Sequence, residues 1–263
     1  MIRPVAVLAM SPDSFLVLDQ GYGALLQVQN ESIELPHGLR KEFNHFNSLV
    51  STCYTDEKSI LFTDSKLNHI YSIPEDNREI KIFNDTLILQ QPTGIAFNKV
   101  TQQVWVVETA AHRIRILDKR GIPLKTIGKR GTGEGDFNFP TFICQGKSGT
   151  MFIVDAMNFR IQQFSPEGEF ISSFGEAGDA SGYLARPKGI ATDTAGNIYI
   201  VDALLHGVQV FNTEGTFLYK FGQQGHENED FWLPAGISID RNNFIYVADA
   251  YNSRVQVFRL ISE

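Results

Sequence analysis

Apolar residues in this chain come in short runs separated by polar turns. Between Pro234 and Phe258 there are three: Gly236-Ile237-Ser238-Ile239, Phe244-Ile245-Tyr246-Val247 and Val255-Gln256-Val257-Phe258. Runs of roughly four to six β-branched and aromatic residues bounded by turn formers predict strands rather than helices. In the stretch just before, a fourth run follows, Thr216 to Phe221, closed by Gly222. Most of the remaining sequence is made of earlier, looser copies of this arrangement.

The copies keep a period. Pro92, Pro140, Pro187 and Pro234 are 48, 47 and 47 residues apart. Asp19, Asp64, Glu108, Asp155, Asp202 and Asp249 each close the second run of a copy, at spacings of 45, 44, 47, 47 and 47. Gly121, Gly168 and Gly215 share the turn after the third run, and Gly128, Gly175 and Gly222 the end of the fourth. A period of roughly 40–50 residues with four strands per unit is that of a β-propeller. Six acidic anchors predict six four-stranded antiparallel blades in one all-β domain over residues 1–263, with units near 4–45, 46–90, 91–138, 139–185, 186–232 and 233–263. In unit one the fourth strand is expected at Ser32–Leu35, and in unit two at Ile80–Phe83. The last unit stops after its third strand, with only Arg259 to Glu263 left. A blade without its fourth strand exposes an edge that proteins normally cover, and Met1 to Arg3 are too short to supply it. The expectation is an upstream segment beyond this sequence.

The pattern P-x-G-I-x-x-D, then I-Y-V-x-D-x-x-N-x-R-V-Q-V-F, then F-G-x-x-G, resembles the NHL repeat. Units three to six resemble it in motif, units one and two only in hydrophobic pattern and acidic anchor. The stretches F-N-F-P-T-F, M-N-F-R-I-Q, A-R-P-K-G-I-A and F-W-L-P-A-G-I are similar to those of bacterial secreted six-bladed NHL proteins. The resemblance implies a periplasmic or extracellular setting, beside envelope or redox assemblies. The chain opens on Met1-Ile2-Arg3 and runs straight into its first strand, with no signal segment. Two settings therefore stay open: a cytoplasmic protein, or a periplasmic or extracellular one whose leader lies upstream.

Charge narrows the partners. The 263 residues carry a formal net charge of −7 and a pI near 5.4. Nucleic-acid binders present a basic face, so the balance opposes the RNA binding that some animal NHL propellers show; Lys125, Lys129 and Arg130 are the one local basic patch singled out. No run approaches the roughly 18–20 apolar residues of a membrane span, so no membrane insertion is expected. Cys53 and Cys144 share the repeat position filled by Ala96, Ala191 and Ser238 elsewhere. A slot for a small buried side chain makes them free structural thiols.

Three constellations could carry chemistry. The anchors Glu108, Asp155 and Asp249 are each followed five residues on by an arginine, Arg113, Arg160 and Arg254. A carboxylate with a repeated arginine partner is a structural brace, since a metal needs unpaired ligands converging on one point. Asp19, Asp64 and Asp202 lack that arginine and are the anchors free for other work. His69, His112 and His206 lie four or five residues after their anchors, where the NHL repeat itself carries histidine, and read as repeat residues rather than zinc ligands. Gly128 to Gly135 has the composition of a phosphate cradle but lacks G-K-[ST] and a following helix; it reads as an ordinary connector. The inner strands begin with Val5, Ser51, Gly94, Phe142, Gly189 and Gly236, a set without convergent His, Asp, Glu or Asn. No catalytic residue, metal or cofactor is predicted from these patterns.

One feature departs from a polar surface. The loops between second and third strands carry Met157 and Phe159, Leu204 and Leu205, and Tyr251 on three successive blades. Exposed, they form an apolar arc on one rim and a binding site for a protein or peptide partner; tucked, they cover the neighbouring blade. Phe137, Phe139, Tyr183, Phe231 and Trp232 precede the inner strands and are expected to pack between blades. The leading expectation is a non-enzymatic scaffold or sensor that holds a protein, peptide or glycan on one face. The alternative is a metal-dependent lyase or hydrolase with its site in the central channel, as in the six-bladed enzymes this architecture resembles.

Overall fold

The structure is a computed structural model and describes residues 1–11, 13–30, 32–34, 46–56, 58–75 and 79–259. It contains six sheets in sequence order. Blade one is β1 (Pro4–Ser11), β2 (Ser14–Asp19), β3 (Ala24–Gln29) and β4 (Ser32–Glu34); blade two is β5 (Leu49–Tyr54), β6 (Ile60–Asp64), β7 (His69–Ile73) and β8 (Lys81–Ile82). Blade three is β9 (Pro92–Asn98), β10 (Gln103–Glu108), β11 (Arg113–Leu117) and β12 (Pro123–Ile127); blade four is β13 (Pro140–Gln145), β14 (Met151–Asp155), β15 (Arg160–Phe164) and β16 (Phe170–Phe174). Blade five is β17 (Pro187–Thr192), β18 (Ile198–Asp202), β19 (Gly207–Phe211) and β20 (Phe217–Phe221). Blade six has three strands, β21 (Ile237–Ile239), β22 (Phe244–Asp249) and β23 (Arg254–Arg259). Strands within a blade pair antiparallel with their sequence neighbours. The chain is an all-β, six-bladed propeller.

The second strand of each blade is buried on both faces, which is why it reads as an unbroken apolar run. Successive side chains of a strand point to opposite faces, and each face of a blade meets a different neighbour. In β14, Met151 and Ile153 enter a core shared with blade three, whereas Phe152 and Val154 enter one shared with blade five. In β18, Ile198 and Ile200 face blade four, and Tyr199 and Val201 face blade six. The buried residues divide into six clusters, one per pair of adjacent blades. Blades six and one meet through Val7, Val17, Tyr246 and Ala248, so among the described residues the ring closes by side-chain packing and not by strand exchange.

Several boundaries differ from expectation. The fourth strand of blade two shrinks to Lys81–Ile82. There Asn84 replaces the ladder: its Oδ1 accepts from the Ile70 N–H at 2.7 Å and its Nδ2 donates to Leu87 O at 2.8 Å. In blade one the fourth strand is Ser32–Glu34, and Leu35 falls outside the described residues. The expected packing residue Tyr183 is 44 % exposed and Phe139 41 % exposed; Leu184, one position on, is the fully buried counterpart of Phe137 and Phe231. The reason is local. Arg130, Ala177 and Gln224 bridge to Phe137, Leu184 and Phe231, turning those three inward under the glycine that ends each fourth strand. At Gly175 (φ +102°) a Cβ would stand 2.7 Å from Leu184, and at Gly128 (φ +80°) it would run into the Phe137 ring, so only glycine fits there.

The acidic anchors tie each blade to the connector that enters it. All six are fully buried. Asp155 accepts the Asn138 N–H at 2.6 Å, and its other oxygen accepts from Asn158 Nδ2, Arg160 Nε and Gln162 Nε2. Asp249 repeats this with the Trp232 N–H, Asn252, Arg254 and Gln256. Arg160 also donates to the carbonyls of Thr132, Gly133 and Asp136, stapling the connector. Glu108 takes the Gln90 N–H together with Arg113 and Arg115. The anchors without arginine are satisfied by backbone alone. Asp202 accepts the N–H groups of Ala185, Arg186, Leu204 and Leu205. Asp64 accepts those of Asn47, Ser48, Lys66 and Leu67, and Asp19 those of Ile2, Arg3, Gly21 and Tyr22.

A second regularity follows from the first. Where side chains fill the anchor, the connector's next N–H must find another acceptor. Phe139, Leu233 and Gln91 adopt the left-handed region, at φ +48°, +46° and +53°. Their N–H groups go to the preceding blade: to His112 Nδ1 at 3.0 Å, His206 Nδ1 at 3.2 Å and Asn68 Oδ1 at 2.8 Å. That conformation costs roughly 1–2 kcal/mol per residue, which the bond offsets. Where the preceding blade offers Gly23, Phe159 or Ser253 at that position, the N–H of Ser48, Arg186 or Arg3 goes to its own anchor instead.

Ile153→Ala should destabilise the protein by about 2–5 kcal/mol in chemical denaturation, whereas Ile171→Ala, half-exposed on β16, should stay within about 0.5 kcal/mol. Arg160→Ala should cost about 3–5 kcal/mol, because it strands the buried Asp155 charge. Burial alone would raise the Glu108 carboxyl, but the Arg113 bond, the Gln90 N–H and the charges of Arg113 and Arg115 outweigh it and hold it below the usual range. A lowered folded value contributes stability at neutral pH that is lost as pH falls through it. Unfolding midpoints followed from neutral pH to about 3 should therefore drop less steeply for Glu108→Gln than for the unaltered chain.

Candidate functional site

The propeller axis opens differently at its two ends. On one face stand the turns between first and second strands, and there the central channel opens as a cavity of about 1110 Å³. Its wall runs from the third residue of most inner strands outward and includes Ser51, Cys53, Phe97, Phe142, Cys144 and Ser238. The other end is constricted. A Cβ at Gly94 would stand 2.7 Å from the Thr141 carbonyl of β13, and one at Gly189 2.7 Å from the Ala235 carbonyl just before β21. Thr63 Oγ1 donates to Thr93 O at 2.6 Å and Thr109 Oγ1 to Pro140 O at 2.6 Å, cross-linking blades there.

The channel wall is chemically quiet. Cys53 and Cys144 are free; the repeat slot leaves them half-buried, where full burial was expected, because it borders the cavity. Burial pushes the Cys53 thiol up to about 12 and raises Cys144 as well, so both are poor nucleophiles at neutral pH. Among the described residues no three of His, Cys, Asp or Glu gather to hold a metal ion. At the wide mouth the charges include Lys58 paired with Glu75 at 2.8 Å, and Asp56 paired with Lys119 at 3.0 Å.

The opposite face carries the connectors between blades and the turns between second and third strands, and the sequence-predicted rim residues lie here. Met157, Leu204 and Tyr251 are exposed, at 54, 53 and 57 %. Each sits two residues past its anchor, on blades four, five and six. Phe159 and Leu205 are half-buried; Phe159 packs into the core between blades four and five. Tyr22, which sequence reasoning passed over, is 58 % exposed on blade one and extends the row to four successive blades. Its unit matches the repeat only loosely, which hid it; the signal was its position three residues past Asp19. The turns are held from below. The Met157 N–H donates to Asn138 O at 3.0 Å and the Tyr251 N–H to Trp232 O at 3.2 Å, and the anchors fix the rest.

The other candidates are absorbed by the scaffold. His112 and His206 use Nδ1 to accept connector N–H groups, and His69 lies edge-on to Tyr71. They stand in three different blades. Lys125 of the basic patch donates to Glu169 and the Glu167 carbonyl, joining blades three and four. Gly128 to Gly135 connects β12 to β13. Sequence reasoning also missed three cations at the axis of the rim face: Arg3 just before β1, Arg186 just before β17, and Lys188 within β17. β21 lies between those two strands: Gly189 N–H bonds Ala235 O at 2.8 Å, and a Cβ at Gly236 would meet Val5 O.

Comparisons with known proteins agree with this architecture. Residues 231–258 match the NHL repeat, and residues 170–201 match a beta-propeller repeat family. No curated protein matches the chain. Among solved structures, it is similar to an auxiliary nutrient binding protein from Bacteroides thetaiotaomicron, at 14 % identity and TM-score 0.75, over 98 % of this chain and 69 % of that one. It is also similar to virginiamycin B lyase from Staphylococcus aureus, at 16 % identity and TM-score 0.66, over 100 % of this chain and 86 % of that one. A gluconolactonase from Xanthomonas campestris aligns at 12 % identity and TM-score 0.64, over 97 and 84 %. At these identities the likeness shows the shared propeller, and the chain carries the NHL repeat within it.

Proposed function

We propose that the protein is a non-enzymatic binding module that holds a protein or peptide partner on the rim face. The observation that carries this is the row of exposed apolar side chains on four successive blades, Met157, Leu204, Tyr251 and Tyr22. Large exposed aromatic and aliphatic groups on a rigid support lose little freedom on binding, which favours them as anchors. The setting we infer is the periplasm or the cell exterior of a bacterium. The resemblance to secreted NHL proteins supports it, as does the likeness to a nutrient-binding propeller. No helix among the described residues is long and apolar enough to cross a membrane.

A metal-dependent lyase or hydrolase in the channel is the second reading. The roomy cavity favours it, and so does the likeness to a lyase and a lactonase. The described side chains of the wall do not fit a metal, so the binding reading is preferred. Elemental analysis of the purified protein separates the two: a stoichiometric divalent metal would favour the enzyme.

The triple variant Met157→Ala, Leu204→Ala, Tyr251→Ala should keep the thermal midpoint of the parent, since all three side chains project into solvent. It should lose partners recovered by crosslinking and pull-down by about tenfold or more, as truncation of interface anchors does. Full retention of every partner would remove the rim from consideration.

A further inference from the structure

The three cations on the axis of the rim face lie close enough to act on one another. Among the described residues, none of the Arg3, Arg186 and Lys188 side chains has a carboxylate partner or donates a hydrogen bond. The Arg3 guanidinium lies 5.7 Å from the centre of the Tyr251 ring. Arg113, Arg160, Arg254, Lys58 and Lys125, by contrast, each pair with a carboxylate. Lys188 is half-buried in β17, and its ammonium is held below the usual lysine range by burial and by the charges of Arg186 and Arg3. A protein of net charge −7 thus gathers three unneutralised cations at one point, against Coulomb repulsion and desolvation. The cluster adjoins the apolar row directly, because Tyr251 belongs to both.

We infer that this cluster is an anion subsite, which receives the carboxylate of an acidic side chain in a peptide whose apolar neighbours rest on the rim row. This rests on the reading that the rim face docks a peptide. The chemistry follows from the donors. Arg3 and Arg186 present planar forks suited to carboxylate oxygens, and Lys188 adds a point charge with three free N–H groups. Charge-assisted bonds of this kind are about twice as strong as neutral ones. The carboxylate relieves the repulsion among the cations, so binding and electrostatic relaxation coincide.

The test uses a capped pentapeptide with aspartate between two phenylalanines and a glycine at each end, together with its asparagine and phosphoserine twins. Binding to the full chain, to Lys188→Met and to the rim triple variant is measured by titration calorimetry. The aspartate peptide should bind the unaltered chain at least about tenfold more tightly than the asparagine twin. That preference should vanish in Lys188→Met, whose thermal midpoint should equal or exceed the parent's because a disfavoured charge is gone. Equal binding of the aspartate and asparagine peptides, or no binding of either, overturns the subsite. So does an undiminished preference in Lys188→Met, or a lowered midpoint. Tighter binding of the phosphoserine twin overturns the assignment to carboxylate. If the rim triple variant binds the aspartate peptide as the parent does, the rim reading falls and the anion subsite stands.

Discussion

Each blade must be apolar on both faces, because each face is half of a core shared with a different neighbour. This requirement explains most of the structure. It makes the second strands continuous runs such as Met151-Phe152-Ile153-Val154, with alternate residues serving two cores. It also leaves backbone polar groups at the strand ends without a sheet to satisfy them, and the acidic anchors meet that need. A buried carboxylate is tolerable only when its lone pairs are filled. Asp155 and Asp249 each receive four donors, three of them from side chains, while Asp19, Asp64 and Asp202 each receive four backbone N–H groups.

That accounting changes how the charged positions are understood. The three anchors without arginine stood out in the sequence as free for other chemistry. They are as fully committed as the others, to the backbone rather than to side chains, and backbone donors leave no trace in a list of residue types. The histidines behave in the same way: His112 and His206 are acceptors for a neighbouring blade's connector. With the anchors and these two histidines occupied by the scaffold, the functional proposals rest on the apolar row and the unpaired cations of the rim face.

Much of the architecture was legible because period, anchor and turn glycine recur at fixed spacing, and a repeated pattern is hard to produce by accident. The blade count, the three-stranded last sheet and the ion pairs Glu108–Arg113, Asp155–Arg160 and Asp249–Arg254 could all be written from the sequence. What escaped depended on register at the level of one residue. Tyr183 and Leu184 are adjacent and both apolar, and only the bridge from Ala177 decides which turns inward. Cys53 and Cys144 occupy a slot whose small occupants imply burial, yet it borders the channel. Arg3, Arg186 and Lys188 come from blades one and five, and nothing in their spacing along the chain shows that β21 brings them to one mouth.

The left-handed connectors have a consequence for the repeats as modules. Phe139 needs His112 before it and Leu233 needs His206, whereas Arg186 and Arg3 follow blades that present Phe159 and Ser253. A blade is thus matched to its predecessor by a plug and a socket, and the two kinds of joint are not interchangeable. The ring has a fixed cyclic order despite its repetitive appearance: deleting, duplicating or transposing a unit would set an acceptor against a connector bent for another.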